Sequence, residues 1–282
     1  MTAAVIGLGL IGGSVAKAIK QGTNHTLYGF DINDSVVRKA KLVGAIDDEL
    51  TDDRLKNCDF VIIATYPQIC INYVKSKAEL FSKNCIVMDC CGVKTAVCNE
   101  LFPLSKEKGF VYVGGHPMAG REYSGFDNSR KNLFNEASLI LTPAPGTPDQ
   151  IIERIKDFWQ PLGFSNFEVT TPERHDQIIA YTSQLAHVAS SAYIKNPTAT
   201  VHAGFSAGSY KDMTRVARLN ENMWTELFLE NADFLETELD IYIEHLQEYA
   251  RALKNRDEAE LKRLLKEGRE RKELADKGEE RI

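Results

Sequence analysis

The stretch AAVIGLGLIGGSVAKAIKQG, Ala3–Gly22, decides the fold. A short apolar run from Ala3 to Ile6 gives way to glycines at positions 7, 9 and 12, and a helical pattern from Ser14 to Gln21 closes on Gly22. Glycine at a helix end accepts the left-handed conformation that terminates the helix, and Gly22 is expected to adopt it. The next apolar segment, TLYGFD, ends at Asp31. Strand, GxGxxG, helix, strand and an acid about 20 positions on is the dinucleotide-binding arrangement. Gly7 permits the tight turn, Gly9 lets the backbone approach a pyrophosphate, and Gly12 lets helix and strand pack closely. Leu10 and Ile11 open the helix, whose free N–H groups and partial positive charge face the phosphates. Asp31 is placed to accept hydrogen bonds from the ribose hydroxyls. A 2′-phosphate there would meet like charge, at about 4 kcal/mol for unit charges roughly 4 Å apart in an effective dielectric of about 20. NAD is therefore expected over NADP, with Asn33 and Arg38 near enough to soften the preference.

Working outward, four apolar runs follow: CDFVIIATYP (Cys58–Pro67), NCIVMDCCGVK (Asn84–Lys94), GFVYVGGHP (Gly109–Pro117) and SLILTP (Ser138–Pro143). Near-continuous apolar strands separated by helical stretches predict a parallel sheet buried on both faces. Ligands bind beyond the carboxyl ends of such strands, which is where Thr65, Pro67, Gly92 and His116 fall. One more helix–strand unit is read over residues 149–169. Thr171 then makes a good N-cap and Pro172 a good first helical residue, and only helical patterns follow. The expected architecture is α/β: an N-terminal Rossmann-type dinucleotide-binding domain, residues 1–171, followed by an all-α C-terminal domain, residues 172–282.

The chain has 282 residues, enough for two domains, and a net charge of −6. Nucleic acids and anionic membranes select a basic face, so the balance speaks against both partners and leaves small anionic substrates open. No run approaches the ~20 apolar residues of a membrane span, and the first residues carry no basic leader. All six cysteines lie between Cys58 and Cys98, with no CxxC and no Cys/His pair at zinc spacing. Buried reduced thiols, no metal and a cytoplasmic location are expected.

In the helical half, Asp176, Ser183 and His187 recur at spacings of seven and four, which predicts one helix face. A polar stripe on an otherwise apolar helix reads either as a cleft lining or as satisfied core groups. In GSYKDMTRVARLNENMW (Gly208–Trp224), Asp212 and Arg215 are i,i+3 neighbours expected to pair, on a helix that is either solvated or part of a site. From Lys254 onward acids and bases alternate around Leu261, Leu264 and Leu265, a pattern for a solvent-laced helix pair with a dimer role.

Four stretches taken together resemble the prephenate/arogenate dehydrogenase family: GLGLIGGS (Gly7–Ser14), GGHPMAGREYSG (Gly114–Gly125), ERHDQIIAYTSQLAH (Glu173–His187), and YKDMTR (Tyr210–Arg215) followed by Met223-Trp224. The resemblance implies an NAD-dependent oxidative decarboxylation of prephenate to 4-hydroxyphenylpyruvate in tyrosine biosynthesis, or of arogenate to tyrosine, by a homodimer. It further implies that His116 accepts the hydrogen bond of the substrate 4-hydroxyl in its neutral form, with activity falling below a pKa that starts from about 6.5. His187 would support the placement of substrate or water, and Arg215 would bind a substrate carboxylate. Glu122 and Asp212 match acidic positions that pair with that arginine and gate access, and Ser183 and Gly208 fall on the same substrate side. One departure stands out. The family motif Asp-Val-Gly-Ser-Val-Lys reads Asp89-Cys90-Cys91-Gly92-Val93-Lys94 here, so the serine hydroxyl is absent, and a water or Thr95 is expected to replace it. Two other readings compete. A β-hydroxyacid dehydrogenase would place a catalytic lysine on the helical domain, and no such motif is found. An NAD-binding regulatory protein without catalysis would have little reason to keep His116, His187 and Arg215.

Overall fold

The computed structural model of the chain describes residues 1–121 and 123–279. It divides into two compact units, Met1–Ala232 and Asp233–Ile282. The first unit is built on an eight-stranded sheet of order β3-β2-β1-β4-β5-β6-β7-β8. In chain order its first half runs β1 (Thr2–Ile6), α1 (Leu10–Gly22), β2 (Thr26–Phe30), α2 (Asp34–Leu42), β3 (Asp48–Glu49), α3 (Asp52–Leu55), β4 (Phe60–Ile63), α4 (Pro67–Lys77) and β5 (Ile86–Asp89). Then come α5 (Thr95–Lys108), β6 (Val111–Pro117), β7 (Ser138–Pro143), α6 (Asp149–Trp159) and β8 (Asn166–Val169). The order reverses between β1 and β4, and ligands of such sheets bind at that crevice.

Strand alternation explains why the strands are apolar throughout. Ala3, Val5 and Ile62 point into one core with Phe158 and Trp159, while Ala4, Ile6 and Ile63 point into another with Val97 and Leu101. Both faces are buried, so neither can be polar. The sheet departs from the all-parallel expectation at one place: β7 pairs antiparallel with β6, Pro117 opposite Leu139 and Val113 opposite Pro143. Among the described residues the connection between them holds a short turn of 3-10 helix, Phe126–Asn128, and no α-helix to carry the chain back across the sheet. The two-residue β3 is too short to leave a pattern in the sequence.

Gly22 also differs from expectation. Helix α1 ends on extended Thr23, with no left-handed residue. Glycine is required at position 22 because an added Cβ would lie 2.5 Å from the Pro161 carbonyl oxygen.

Beyond Val169 the described residues are helical: α7 (Pro172–Ile179), a π-helical stretch (Ala180–Leu185), α8 (Ala186–Ile194), α9 (Gly208–Thr214), α10 (Glu221–Glu230), α11 (Ala232–Asn255) and α12 (Glu258–Glu279). Thr171 caps α7 as its sequence predicts, its side chain accepting from the Arg174 N–H at 3.2 Å. The second unit is the pair α11 and α12. Arg263 bridges Glu260 and Glu267 along α12, exposed pairs that contribute little individually. Ile241, Ile243, Leu246, Leu253, Leu265 and Leu274 of this unit are all exposed. Among the described residues no helix is long and apolar enough to cross a membrane.

Candidate functional site

The glycine turn comes together as its spacing predicts. Gly7 has a φ of +82°, and a Cβ there would sit 2.5 Å from the Ala64 carbonyl oxygen and 2.8 Å from Thr65 Cγ2. A Cβ on Gly12 would lie 1.8 Å from the Gly7 carbonyl oxygen. Gly9 is different: nothing stands within 4 Å of where its Cβ would be. Gly9 is also the N-cap of α1 and offers no side chain to the first N–H groups of the helix. Asp31 is held beside this turn, Oδ2 accepting the Leu8 N–H at 2.8 Å and Oδ1 the Asn33 N–H at 2.9 Å. A carboxylate has about four acceptor positions, so two remain for ribose hydroxyls. Open space at Gly9, uncapped helical N–H groups and a half-used carboxylate together fit the diphosphate and ribose of NAD. Thr65 and Pro67 lie just past the end of β4, Pro67 opening α4. There the Gln68 N–H, at the start of α4, donates to Glu226 Oε1 of α10 at 2.8 Å.

His116 is the penultimate residue of β6, at the carboxyl edge. Its Nδ1 lies 2.8 Å from Nε2 of His175, and Nδ1 of His175 lies 2.7 Å from Asp176 Oδ1. The two Asp176 oxygens also accept the backbone N–H groups of Lys94 (2.8 Å) and Thr95 (2.7 Å). Beneath them is a buried charge cluster. The Lys94 ammonium bonds the Asp89 carboxylate and donates to the Gly115 carbonyl at 2.6 Å. Asp89 also accepts from the Tyr112 hydroxyl at 2.6 Å and the Cys91 N–H at 2.9 Å. Burial drives the His116 pKa well below 6.5, and His175 and the Lys94 cation push it the same way. Burial lowers His175 too, against the opposing pull of its bond to Asp176. Burial alone would raise Asp176, but its bonds to His175 and to the Thr95 N–H outweigh this and hold it low. The neutral form expected of His116 thus has a physical cause in its surroundings.

A second cluster forms around His187. Its Nδ1 donates to the Ser183 carbonyl at 2.8 Å, and its ring lies against Trp224 with centroids 4.1 Å apart. Burial lowers its pKa, and the nearby Arg215 cation adds to the effect. Arg215 follows α9, which opens at Gly208 and carries exposed Asp212; the Ser190 hydroxyl of α8 donates to the Met213 carbonyl at 2.7 Å and fixes α9 in place. The expectation for Glu122 lies outside the described residues. The expectation that Asp176, Ser183 and His187 share one α-helical face needs correction, because the π-helical residues 180–185 interrupt the spacing between them.

Helix α10 touches both clusters. Trp224 lies on His187, and the Leu227 carbonyl accepts from Gln184 at 2.9 Å. Asn231, just beyond α10, donates to the Asp176 carbonyl at 2.9 Å and to Gln184 Oε1 at 2.7 Å. Leu227 also stands over Gly92: a Cβ added there would meet its methyl carbons at 3.5 and 3.6 Å. A leucine methyl pair therefore packs beside the position at which the sequence lacks the expected serine. Of this constellation, His175, Lys94 and Trp224 stand in the motifs named above without a role read from sequence, and Glu226 and Leu227 are missed altogether. The adjacent His-Asp pair in the first turn of a capped helix is the available signal for His175.

Comparison with known proteins agrees with this geometry. Residues 15–166 match the family model described as prephenate dehydrogenase, nucleotide-binding domain, and residues 171–267 match prephenate dehydrogenase, dimerization domain. The chain is 32% identical to the cyclohexadienyl dehydrogenase of Zymomonas mobilis over 90% of its own length and 89% of that protein. It is 29% identical to the prephenate dehydrogenase of Bacillus subtilis, covering 94% of this chain and 73% of that one. A crystal structure of prephenate dehydrogenase from A. aeolicus, in complex with hydroxyphenyl propionate and NAD+, superposes with a TM-score of 0.84 at 26% identity, covering 97% and 98% of the two chains. With both of its halves matched by the family's models, the chain belongs to the prephenate dehydrogenase family.

Proposed function

We propose that the protein oxidatively decarboxylates prephenate to 4-hydroxyphenylpyruvate, with NAD as cofactor, in tyrosine biosynthesis. The observation that carries the reading is a half-buried imidazole, bonded to His175 and in surroundings that disfavour its charged form, at the carboxyl edge of a dinucleotide-binding sheet. Bound in the glycine turn beside Asp31, NAD would supply the acceptor for the hydride at C4 of the substrate. His116 accepts the hydrogen bond of the 4-hydroxyl and holds its proton while the C4–H bond breaks. The ring carboxylate departs as carbon dioxide, its bonding electrons enter the ring, and the proton returns to the phenolic oxygen. Aromatisation drives this step, so the chain has to supply orientation and a proton acceptor rather than strong acid–base chemistry.

Arg215 binds a substrate carboxylate, a charged hydrogen bond contributing about 1.5–3 kcal/mol. His187 presents its Nε2 to substrate or water, since its Nδ1 is committed to Ser183. Glu122, Asp212, Ser183 and Gly208 complete the substrate side, while Gly7, Gly9, Leu10, Ile11, Gly12, Asp31, Thr65 and Pro67 hold the cofactor. The functional boundary falls near residue 171, with 1–171 binding nucleotide and 172–282 forming the substrate and dimerization part. The apolar residues exposed on α11 and α12 suit burial against a second copy in a homodimer. The six free thiols suit a reducing cytoplasm.

Following NADH absorbance with prephenate and, separately, arogenate tests the reading. Turnover of prephenate above arogenate is the expected result. NAD binding without turnover of either would replace the enzyme by a sensor, and preference for arogenate would reassign the substrate.

A further inference from the structure

We propose that His175 and Asp176 are positioning residues for His116, fixing the tautomer that carries its proton on Nδ1 and presents a bare Nε2 to the substrate hydroxyl. The inference rests on the reading of His116 as proton acceptor given above. It is carried by hydrogen bonds in series. Asp176 lies in the first turns of α7, almost fully buried, and its oxygens take the N–H groups of Lys94 and Thr95 at 2.8 and 2.7 Å. Those two bonds pin the carboxylate to the start of α5. The same Oδ1 is 2.7 Å from His175 Nδ1, and His175 Nε2 is 2.8 Å from His116 Nδ1.

The direction of each bond follows from what each group can do. A carboxylate only accepts, so His175 donates through Nδ1. A neutral imidazole has one N–H, which leaves a lone pair on His175 Nε2. The hydrogen between the rings therefore belongs to His116 Nδ1, and its Nε2 keeps a lone pair. The other tautomer of His116 would aim an N–H at the hydroxyl and could not take its proton. Burial and the Lys94 cation disfavour a second proton on both rings, against the opposing pull of Asp176 and Asp89 on His175, and Asp89 is paired to Lys94. Three elements divide the work between them. Strand β6 delivers the acceptor, α7 orients it, and the start of α5 anchors the orienter.

The test uses the whole enzyme with 15N-labelled histidine. A 15N–1H correlation spectrum, with the His116 signals identified by their loss in His116→Asn, reports which ring nitrogen is protonated. The expected result is protonation at Nδ1; protonation at Nε2 overturns the proposal. Kinetics provide the second readout. His175→Leu should lower kcat about tenfold to a hundredfold, part of the roughly 10²–10⁴ that a positioned base contributes. The KM for prephenate and the affinity for NAD should stay within about twofold. His175→Gln, whose amide oxygen can accept from His116 Nδ1, should recover most of that loss. An unchanged kcat in His175→Leu also overturns the proposal. If His175→Leu does not fold, the wild-type spectrum still decides. Full kcat in His116→Asn would remove the reading of His116 as proton acceptor, whereas a wrong tautomer alongside an inactive His116→Asn would remove only the role of His175 and Asp176.

Discussion

Replacing Gly9 and Gly12 separately by alanine should separate cofactor binding from folding, although the two residues belong to one turn. At Gly12 the new methyl would lie 1.8 Å from the Gly7 carbonyl oxygen and 3.0 Å from Ala64 Cβ. Both neighbours are fixed parts of the β1–α1 turn and the end of β4, so the backbone must move. Overpacking of this kind costs about 1–3 kcal/mol, and at roughly 2–4 °C per kcal/mol the melting temperature should fall by about 2–12 °C. At Gly9 the methyl meets nothing within 4 Å, and the φ of −71° suits an L-residue. There the NAD-free protein should melt with the wild type or slightly above it, because alanine restricts the unfolded chain. The methyl instead occupies the space through which a pyrophosphate reaches the N–H groups of α1. Losing one charged hydrogen bond of about 1.5–3 kcal/mol weakens NAD binding by about tenfold to a hundredfold. Scanning calorimetry of the NAD-free variants and titration calorimetry with NAD read the two effects independently. Wild-type NAD affinity in Gly9→Ala would refute the argument that open space marks the phosphate cradle.

Lys94→Met leaves the buried Asp89 carboxylate without its cation and should cost about 3–5 kcal/mol in urea unfolding; adding Asp89→Asn should return part of it, and a loss below about 1 kcal/mol would contradict the charge cluster. The acid limb of kcat/KM should lie below pH 6.5, because the environment of His116 holds its pKa well under that value; a limb at or above 6.5 in a pH–rate profile would count against it. The same depression governs stability. His116, His175 and His187 all bind protons more weakly folded than unfolded, so their contribution is complete above about pH 6.5 and is lost as pH falls below it, which melting curves across that window will show. Asp31→Ser removes the like charge that a 2′-phosphate would face, and the ratio of kcat/KM with NAD to that with NADP should fall; an unchanged ratio would mean that other residues set the preference.

The parts of this molecule that are legible in its sequence are those governed by local rules. The glycine turn, Asp31, the strand-end position of His116 and the Thr171-Pro172 helix start each depend on residues within about 20 positions of one another. What escapes depends on distant segments meeting. His116 and His175 are 59 positions apart, and nothing in either neighbourhood announces the other. Leu227 stands over Gly92 although 135 positions separate them, a contact that no local rule announces. The reversed strand β7 escapes because an apolar run buried on both faces looks the same in either direction. Gly22 has the spacing of a helix terminator, yet its cause is the Pro161 carbonyl, a contact that only tertiary packing creates.

The widened turn at 180–185 sets how the long helix of the second half is geared. Asp176 and His187 are eleven positions apart, an interval after which an uninterrupted α-helix returns to within about 20° of its starting direction. The slower winding of the π segment breaks that return, so the aspartate can serve the sheet edge while the histidine turns to meet the indole of Trp224. Deleting one residue there and restoring regular winding would leave everything downstream facing nearly as it does now, because the six wider residues already lag an α-helix by about the 100° that one residue turns. The π segment thus takes up about one residue's rotation between the two ends of one rod, and forcing it back to regular winding at unchanged length would turn the imidazole away from its stacking partner while leaving the carboxylate where it is.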